Sequence, residues 1–364
     1  MQNSIEEKFF ELLRVSIGTQ KVLTTSPTDV EWRMLFEQAA KQSLSGVMLE
    51  GVNKLKNASI NLNIEKKLLL EWIGIRQITI STNEVQNKRV KELYDIFKDG
   101  GYRSCVLKGQ GTALYYDRPE FRQSGDIDLW VEGNRDVVVA FVRSKGIRVE
   151  NVDIKDSTMY FFNDVTVEVH WRPNCMFNPW TDKNLQLFFK EQAKQQFSAF
   201  DDSHGFAHTT IEFDLVYSLV HIYRHIFSEG IGLRQLLDYY YILHHSTKSQ
   251  REEAFRTICG FGMKLFVGGI MWILLEKFGM NKEQALCGVN ERHGVFLLNE
   301  ILIGGNFGQY DTRYNIASKD RKFRRGITML KRNLHYICLY PSEVLWSPLW
   351  KLWHWCWRKQ KGYL

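Results

Sequence analysis

The chain of 364 residues reads as an α+β protein, a small mixed β-sheet set between an N-terminal helical arm and a C-terminal helical domain. Three observations predict this. Only six prolines occur, about a third of ordinary usage, which favours long helices over a loop-rich all-β fold. Short apolar runs rich in β-formers are confined to residues 102–180. On either side, apolar residues recur at helical spacing. The length suits two compact domains or one large one, at roughly 100–200 residues per domain. Hydrophobic content of 44% and charged content of 24% exclude a disordered chain, a collagen or a small disulfide scaffold.

Residues 1–101 form the helical arm. Ser4 and Glu7 have capping-box spacing ahead of Phe9, Leu12 and Leu13, and Asp29 is a candidate cap for a helix carrying Trp32, Leu35 and Ala39. A helical pattern runs from Ile64 to Lys98 and stops at Asp99-Gly100-Gly101. Within 102–180, strands are expected at Arg103–Leu107, Ile127–Val131, Met159–Phe162 and Val165–His170, with a helix over Asn134–Ser144. Residues 181–318 return to helical texture, with segments at 212–228, 233–245, 250–259, 263–278 and 290–302.

Residues 319–364 form a basic aromatic tail. The chain has 48 basic and 41 acidic side chains, net +7. The tail holds 11 of the basic and 2 of the acidic groups, net +9, which leaves the first 318 residues at −2. Five of the eleven tryptophans also fall there, and Trp346, Trp350, Trp353 and Trp357 share one helical stripe. Three readings of the tail stand side by side. The aromatics pack on the helical domain, or they rest with the bases on an anionic membrane surface. In the third, Arg321, Lys322, Arg324 and Arg325 bind nucleic-acid phosphates. Six scattered cysteines without a CxxC pair suit a reducing cytoplasm. The longest uncharged apolar run, Leu265–Leu275, is shorter than the about 20 residues a membrane span needs.

The strongest chemical signal is Ser124-Gly125-Asp126-Ile127-Asp128-Leu129-Trp130-Val131. Alternation along a strand puts Asp126 and Asp128 on one face and sends Ile127 and Leu129 into the core. Paired carboxylates repel unless a cation lies between them, and hard divalent ions such as Mg²⁺ favour such oxygen sites. Glu168, in Val167-Glu168-Val169-His170, offers a third carboxylate, with His170 on its face. Lys108-Gly109-Gln110-Gly111 follows a strand and could cradle phosphate. His221 and His225 are four apart on a helix, a spacing open to zinc, to cleft lining or to core packing. Arg234 and Asp238, also four apart, read as a surface pair or as a cleft wall.

Residues 103–171 resemble the uncharacterised nucleotidyltransferases of the DNA polymerase β-like superfamily. The resemblance rests on a strand ending in Lys108-Gly109, then Arg122, Asp126-x-Asp128 and Glu168-x-His170. It extends more loosely to His221, His225, Arg234 and Asp238. It implies an α+β nucleotidyltransferase core that moves an NMP group from an NTP to a hydroxyl of a small molecule, a glycan precursor or a protein. Asp126, Asp128 and Glu168 would hold Mg²⁺ or Mn²⁺ in a two-metal site. Lys108, Gly109, Arg122, Ser124, His170, Arg234 and Asp238 would bind the nucleotide. The Gly-Ser step of the wider superfamily is absent, since Gly109 precedes Gln110 and 16 residues separate it from Asp126. A catalytically silent binding or scaffold protein, and an RNA-binding protein led by the basic tail, are the alternative functions.

Overall fold

The computed structural model describes residues 2–314 and 330–363. Four helices open the chain: α1 (Gln2–Ile17), α2 (Asp29–Lys41), α3 (Ser45–Asn57) and the long α4 (Lys66–Asp99). Helix α1 already includes Ser4, which therefore does not cap it. The cap of α2 is Thr28, whose side chain accepts from the Glu31 amide while Glu31 reaches back to the Thr28 amide. Asp29, expected as the cap, is the first helical residue. The stop after α4 is as expected, with Gly101 at φ +80.

The sheet unit comprises β1 (Ser104–Val106), the one-turn α5 (Gln110–Ala113), β2 (Ile127–Val131), α6 (Arg135–Ser144), β3 (Val149–Glu150), β4 (Asp156–Met159) and β5 (Val167–His170). Strand order is β1-β2-β5-β4-β3. Only β2 and β5 pair in parallel, and the other neighbours are antiparallel. The fourth strand lies upstream of the expected Met159–Phe162. Tyr160, Phe161 and Phe162 leave the sheet, and the Arg89 guanidinium lies 4.7 Å from the Phe162 ring. Aromatic β-propensity pointed there, but only the polar Asp-Ser-Thr-Met run pairs with β5.

The two faces of the sheet are buried differently. Ile127, Leu129, Val131, Val167 and Val169 pack with Val90, Leu93 and Phe97 of α4 and Val138, Val139 and Val142 of α6. On the opposite face Trp130 meets Phe197 and Phe213, with ring centroids 4.7 and 5.7 Å away.

After the sheet come α7 (Pro179–Gln196), a small hairpin of Phe200–Asp201 and Phe206–Ala207, α8 (Ile211–Ile226), α9 (Leu233–His245), α10 (Lys248–Cys259), α11 (Lys264–Glu276) and α12 (Glu291–Gly304). The arm and this helical region share one apolar core. The Gln42 amide joins them, donating to the Ile301 carbonyl at 3.1 Å and accepting from the Leu233 amide at 2.9 Å. Packing thus crosses the boundaries that composition suggested.

The C-terminal helix spans Pro341–Gln360. Its Glu343 carboxylate accepts the Phe177 and Asn178 amides, and Trp346 and Trp350 pack on Trp180 and Phe177. His354 Nε2 lies 2.8 Å from the Asp153 carboxylate. Trp353 points away from the body and is half-exposed. Arg321, Lys322, Arg324 and Arg325 lie outside the described residues. Among the described residues no helix is long and apolar enough to cross a membrane.

Candidate active site

Parallel pairing of β2 with β5 sets Asp128 directly opposite Glu168, and Trp130 opposite His170. Because side chains alternate, these groups leave the sheet on one face, away from Ile127 and Leu129. Asp128 is fully buried. Its Oδ1 lies 3.0 Å from His170 Nε2, which is itself 3.9 Å from Glu168 Oε2. The antiparallel partner β4 adds Asp156, whose Oδ2 lies 3.8 Å from His170 Nδ1 and which also contacts Lys155. Sequence reasoning missed Asp156. Its only signal is the register of a strand that was placed elsewhere.

Lys108 enters from the end of β1. Its ammonium is 3.1 Å from Asp128 Oδ2 and 3.4 Å from His221 Nε2. Gly109 turns the chain there at φ +64, a conformation costly for residues with a Cβ. The helix that follows is a single turn, and Gln110 is buried, donating to Asn87 Oδ1 at 2.5 Å. Gln110, which follows Gly109, is therefore directed toward α4. Asp126 is half-buried, one residue ahead of β2.

The electrostatics divide the acids. Burial would raise the Asp128 pKa, but the Lys108 ammonium and the His170 imidazole hold it well below the carboxylate range. Glu168 shifts the other way, pushed up by burial and by the charges of Asp128, Asp156 and Asp126. Burial would lower the Lys108 pKa, but the fields of Asp128, Asp126 and Glu168 raise it instead. Two lysines, Lys108 and Lys155, thus face the four carboxylates of Asp126, Asp128, Asp156 and Glu168.

The donor set of Asp128, Glu168 and His170, with ligand atoms all within 4.8 Å of one another, fits a divalent cation. Asp128 Oδ2 already faces the Lys108 ammonium and His170 Nδ1 faces Asp156, so a cation here would share Asp128 with Lys108. His170, expected beside the nucleotide, is thus within ligand reach of the acids.

His221 and His225 face this cleft from α8, their rings 4.3 Å apart. Burial lowers the pKa of both, and the nearby Lys108 charge adds to it. His221 Nε2 faces the Lys108 ammonium and His225 Nδ1 lies 3.5 Å from Glu229 Oε2, contacts that suit cleft lining.

A second ion pair stands beside the first. Arg122 grips Asp238 with two bonds, Nε–Oδ1 at 2.7 Å and Nη2–Oδ2 at 2.8 Å, and Tyr116 donates to the same carboxylate at 2.6 Å. Asn83 of α4 donates to the Arg122 carbonyl at 2.8 Å. Arg234 does not pair with Asp238. It donates to the Gln123 carbonyl at 2.6 Å and lies 5.8 Å from the Phe307 ring. The helical i, i+4 pairing is therefore replaced by contacts between elements. Ser124 Oγ, Arg122 Nη1 and Arg234 Nε are buried without partners, three spare donors around the loop before Asp126.

A groove of about 800 Å³ opens beside Asp126, walled by Gln77, Ile78, Ser81 and Thr82 of α4 and by Asp164 and Thr166. A family model described as uncharacterised nucleotidyltransferase matches residues 28–276. No curated protein matches the chain.

Proposed function

From the premise that the chain belongs to the uncharacterised nucleotidyltransferase family and is a nucleotidyltransferase, we propose a metal-dependent transfer of an NMP group from an NTP to an acceptor hydroxyl. The observation that carries the reading is the in-register opposition of Asp128 and Glu168 beside Lys108. Asp128, Glu168 and Asp126, with His170 beside them, would hold Mg²⁺ or Mn²⁺. When bound, that ion supplies charge neutralisation at the triphosphate and acidifies the acceptor hydroxyl.

The chain's own residues do the rest. Lys108 and Arg234 offer positive charge to the phosphates, and Ser124 offers a hydroxyl donor. Arg122 is held by Asp238 and shapes the loop before Asp126. The raised pKa of Glu168 reflects burial and the crowding of acids, the latter relieved by a bound cation, and the acceptor hydroxyl's proton passes to solvent. The acceptor oxygen bonds to the α-phosphorus, the α–β bridging bond breaks, and pyrophosphate leaves. The groove beside Asp126 carries amide, hydroxyl and apolar groups together with the Asp126 and Asp164 carboxylates, and suits a hydroxyl-bearing acceptor that is not anionic.

Thermal-shift measurements with ATP, GTP, CTP and UTP, each with and without Mg²⁺, test the reading. Stabilisation by a nucleotide only when metal is present supports it. One observation favours the alternative, a silent binding protein: the Lys108 ammonium already neutralises Asp128. Lack of any shift, together with no pyrophosphate release, would establish that alternative.

A further inference from the structure

The C-terminal helix is amphipathic with its apolar residues on both sides. The inner side is accounted for by Glu343, Val344, Trp346, Ser347, Trp350 and His354, which pack on or bond to the body. The outer side is unusual. Leu345, Leu349 and Leu352 are 62, 58 and 62% exposed, and Trp353 and Trp355 are 49 and 50% exposed. Cys356 is exposed among them. At 100° per residue these side chains span one continuous arc, and between Leu345 and Cys356 Pro348 is the other exposed residue within it. No charged residue interrupts the arc before Lys359. Monomeric soluble proteins rarely leave so continuous an apolar stripe facing water.

The charge around the stripe indicates what covers it. Glu343 is the helix's only acid, and it is buried against the Phe177 and Asn178 amides. Arg358, Lys359 and Lys361 gather at the far end, with Lys359 5.5 Å from the Trp355 ring. The chain from residue 319 onward is net +9. A second copy would bring like charges together. An anionic lipid surface would receive the leucines and tryptophans among its acyl chains and pair the cations with its headgroups. The helix is not apolar enough to span, which suits lying in the interface.

We propose that this helix docks the protein peripherally on an anionic bilayer, with Leu345, Leu349, Leu352 and Trp353 inserted and its inner face still on the body. The test is co-sedimentation of the full chain with phosphatidylcholine vesicles, with and without phosphatidylglycerol. Binding is expected only to the phosphatidylglycerol vesicles and should weaken as salt rises. The Leu349→Glu/Leu352→Glu variant should keep its melting temperature and lose at least about tenfold in partitioning. A Lys359→Glu/Lys361→Glu variant should lose less, and its loss should vanish at high salt. Absence of vesicle binding by the wild type overturns the proposal. So does equal binding by a folded leucine variant. Light scattering showing a lipid-independent dimer that the leucine variant dissociates would overturn it in favour of a second copy.

Discussion

Two buried ion pairs stand side by side in this cleft, and they are built in opposite ways. Arg122–Asp238 is closed: a two-point contact, a tyrosine hydroxyl on the same carboxylate and an asparagine on the arginine's backbone. Lys108–Asp128 is open: the ammonium makes one contact to a carboxylate whose other oxygen faces His170, and further acids crowd around it. The closed pair satisfies both carboxylate oxygens, leaves Arg122 Nη1 spare and serves as scaffold, whereas the open pair sits among acids whose mutual repulsion a cation would relieve. Arg122 and Asp128, similar as charged residues near a glycine loop, thus differ in role through their partners.

The most severe way to break the comparison is Asp128→Asn. It should lower metal-dependent nucleotide turnover by at least about 10³-fold, because the charge that organises the site is gone. Circular dichroism should show a folded protein, since removing one of several mutually repelling acids offsets the lost lysine contact. Unchanged turnover in a folded variant would sink the assignment.

Asp238→Ala attacks the closed pair and should act on stability first. Leaving Arg122 buried and unpaired should cost about 3–5 kcal/mol in urea unfolding. Replacing both partners with apolar residues, Arg122→Met/Asp238→Leu, should cost less than the single change. If the double variant is the less stable, the pair contributes more than mutual neutralisation.

Asp214 on α8 sharpens the comparison as a buried acid with hydroxyl partners, Thr209 and Tyr115, in place of a cation. Burial pushes its pKa up to about 7. The native state therefore holds this proton where the unfolded chain, at the ordinary 3.8, has released it. Stability from this group is fully present below about pH 4 and falls as pH rises toward about 7. Asp214→Asn should flatten that slope and raise stability at pH 8 by about 1–3 kcal/mol. A series of melting curves against pH decides it, and an unchanged slope would show that Asp214 is ionised in the native state.

The smallest effect is expected at Ser124, whose hydroxyl is a spare donor on the loop before Asp126. Ser124→Ala should raise KM for the nucleotide by about fivefold, the worth of one neutral hydrogen bond, and leave kcat nearly unchanged. Equal loss in both constants would place the hydroxyl in transition-state stabilisation.

Much of the chemistry was legible because period-two alternation is local. Asp128 and Ile127 announce their opposite faces from five residues of sequence, and Glu168 and His170 do the same. What stayed hidden depends on pairing between distant segments. Asp156 joins the site only through an antiparallel register that the aromatic run Tyr160–Phe162 obscured. Arg234 and Asp238 suggested each other by spacing, yet each found a partner on the loop at 116–123. The union of the arm with the distal helices rests on contacts such as Gln42 to Ile301, which no window of sequence contains. The stripe on Pro341–Gln360 shows the same limit, since periodicity finds the tryptophans but not which side is covered.

The lone parallel pairing in the sheet also bears on how the protein comes together. Asp128 and Glu168 meet only after the chain has run through α6, β3 and β4, closing a loop whose entropy must be overcome before any contact rewards it. Non-local pairings of this type form late. A nascent or partly unfolded chain therefore carries every acid of the cluster without its geometry. On the proposed function, nucleotide chemistry waits on the meeting of β2 and β5, so a chain without that pairing is a silent one.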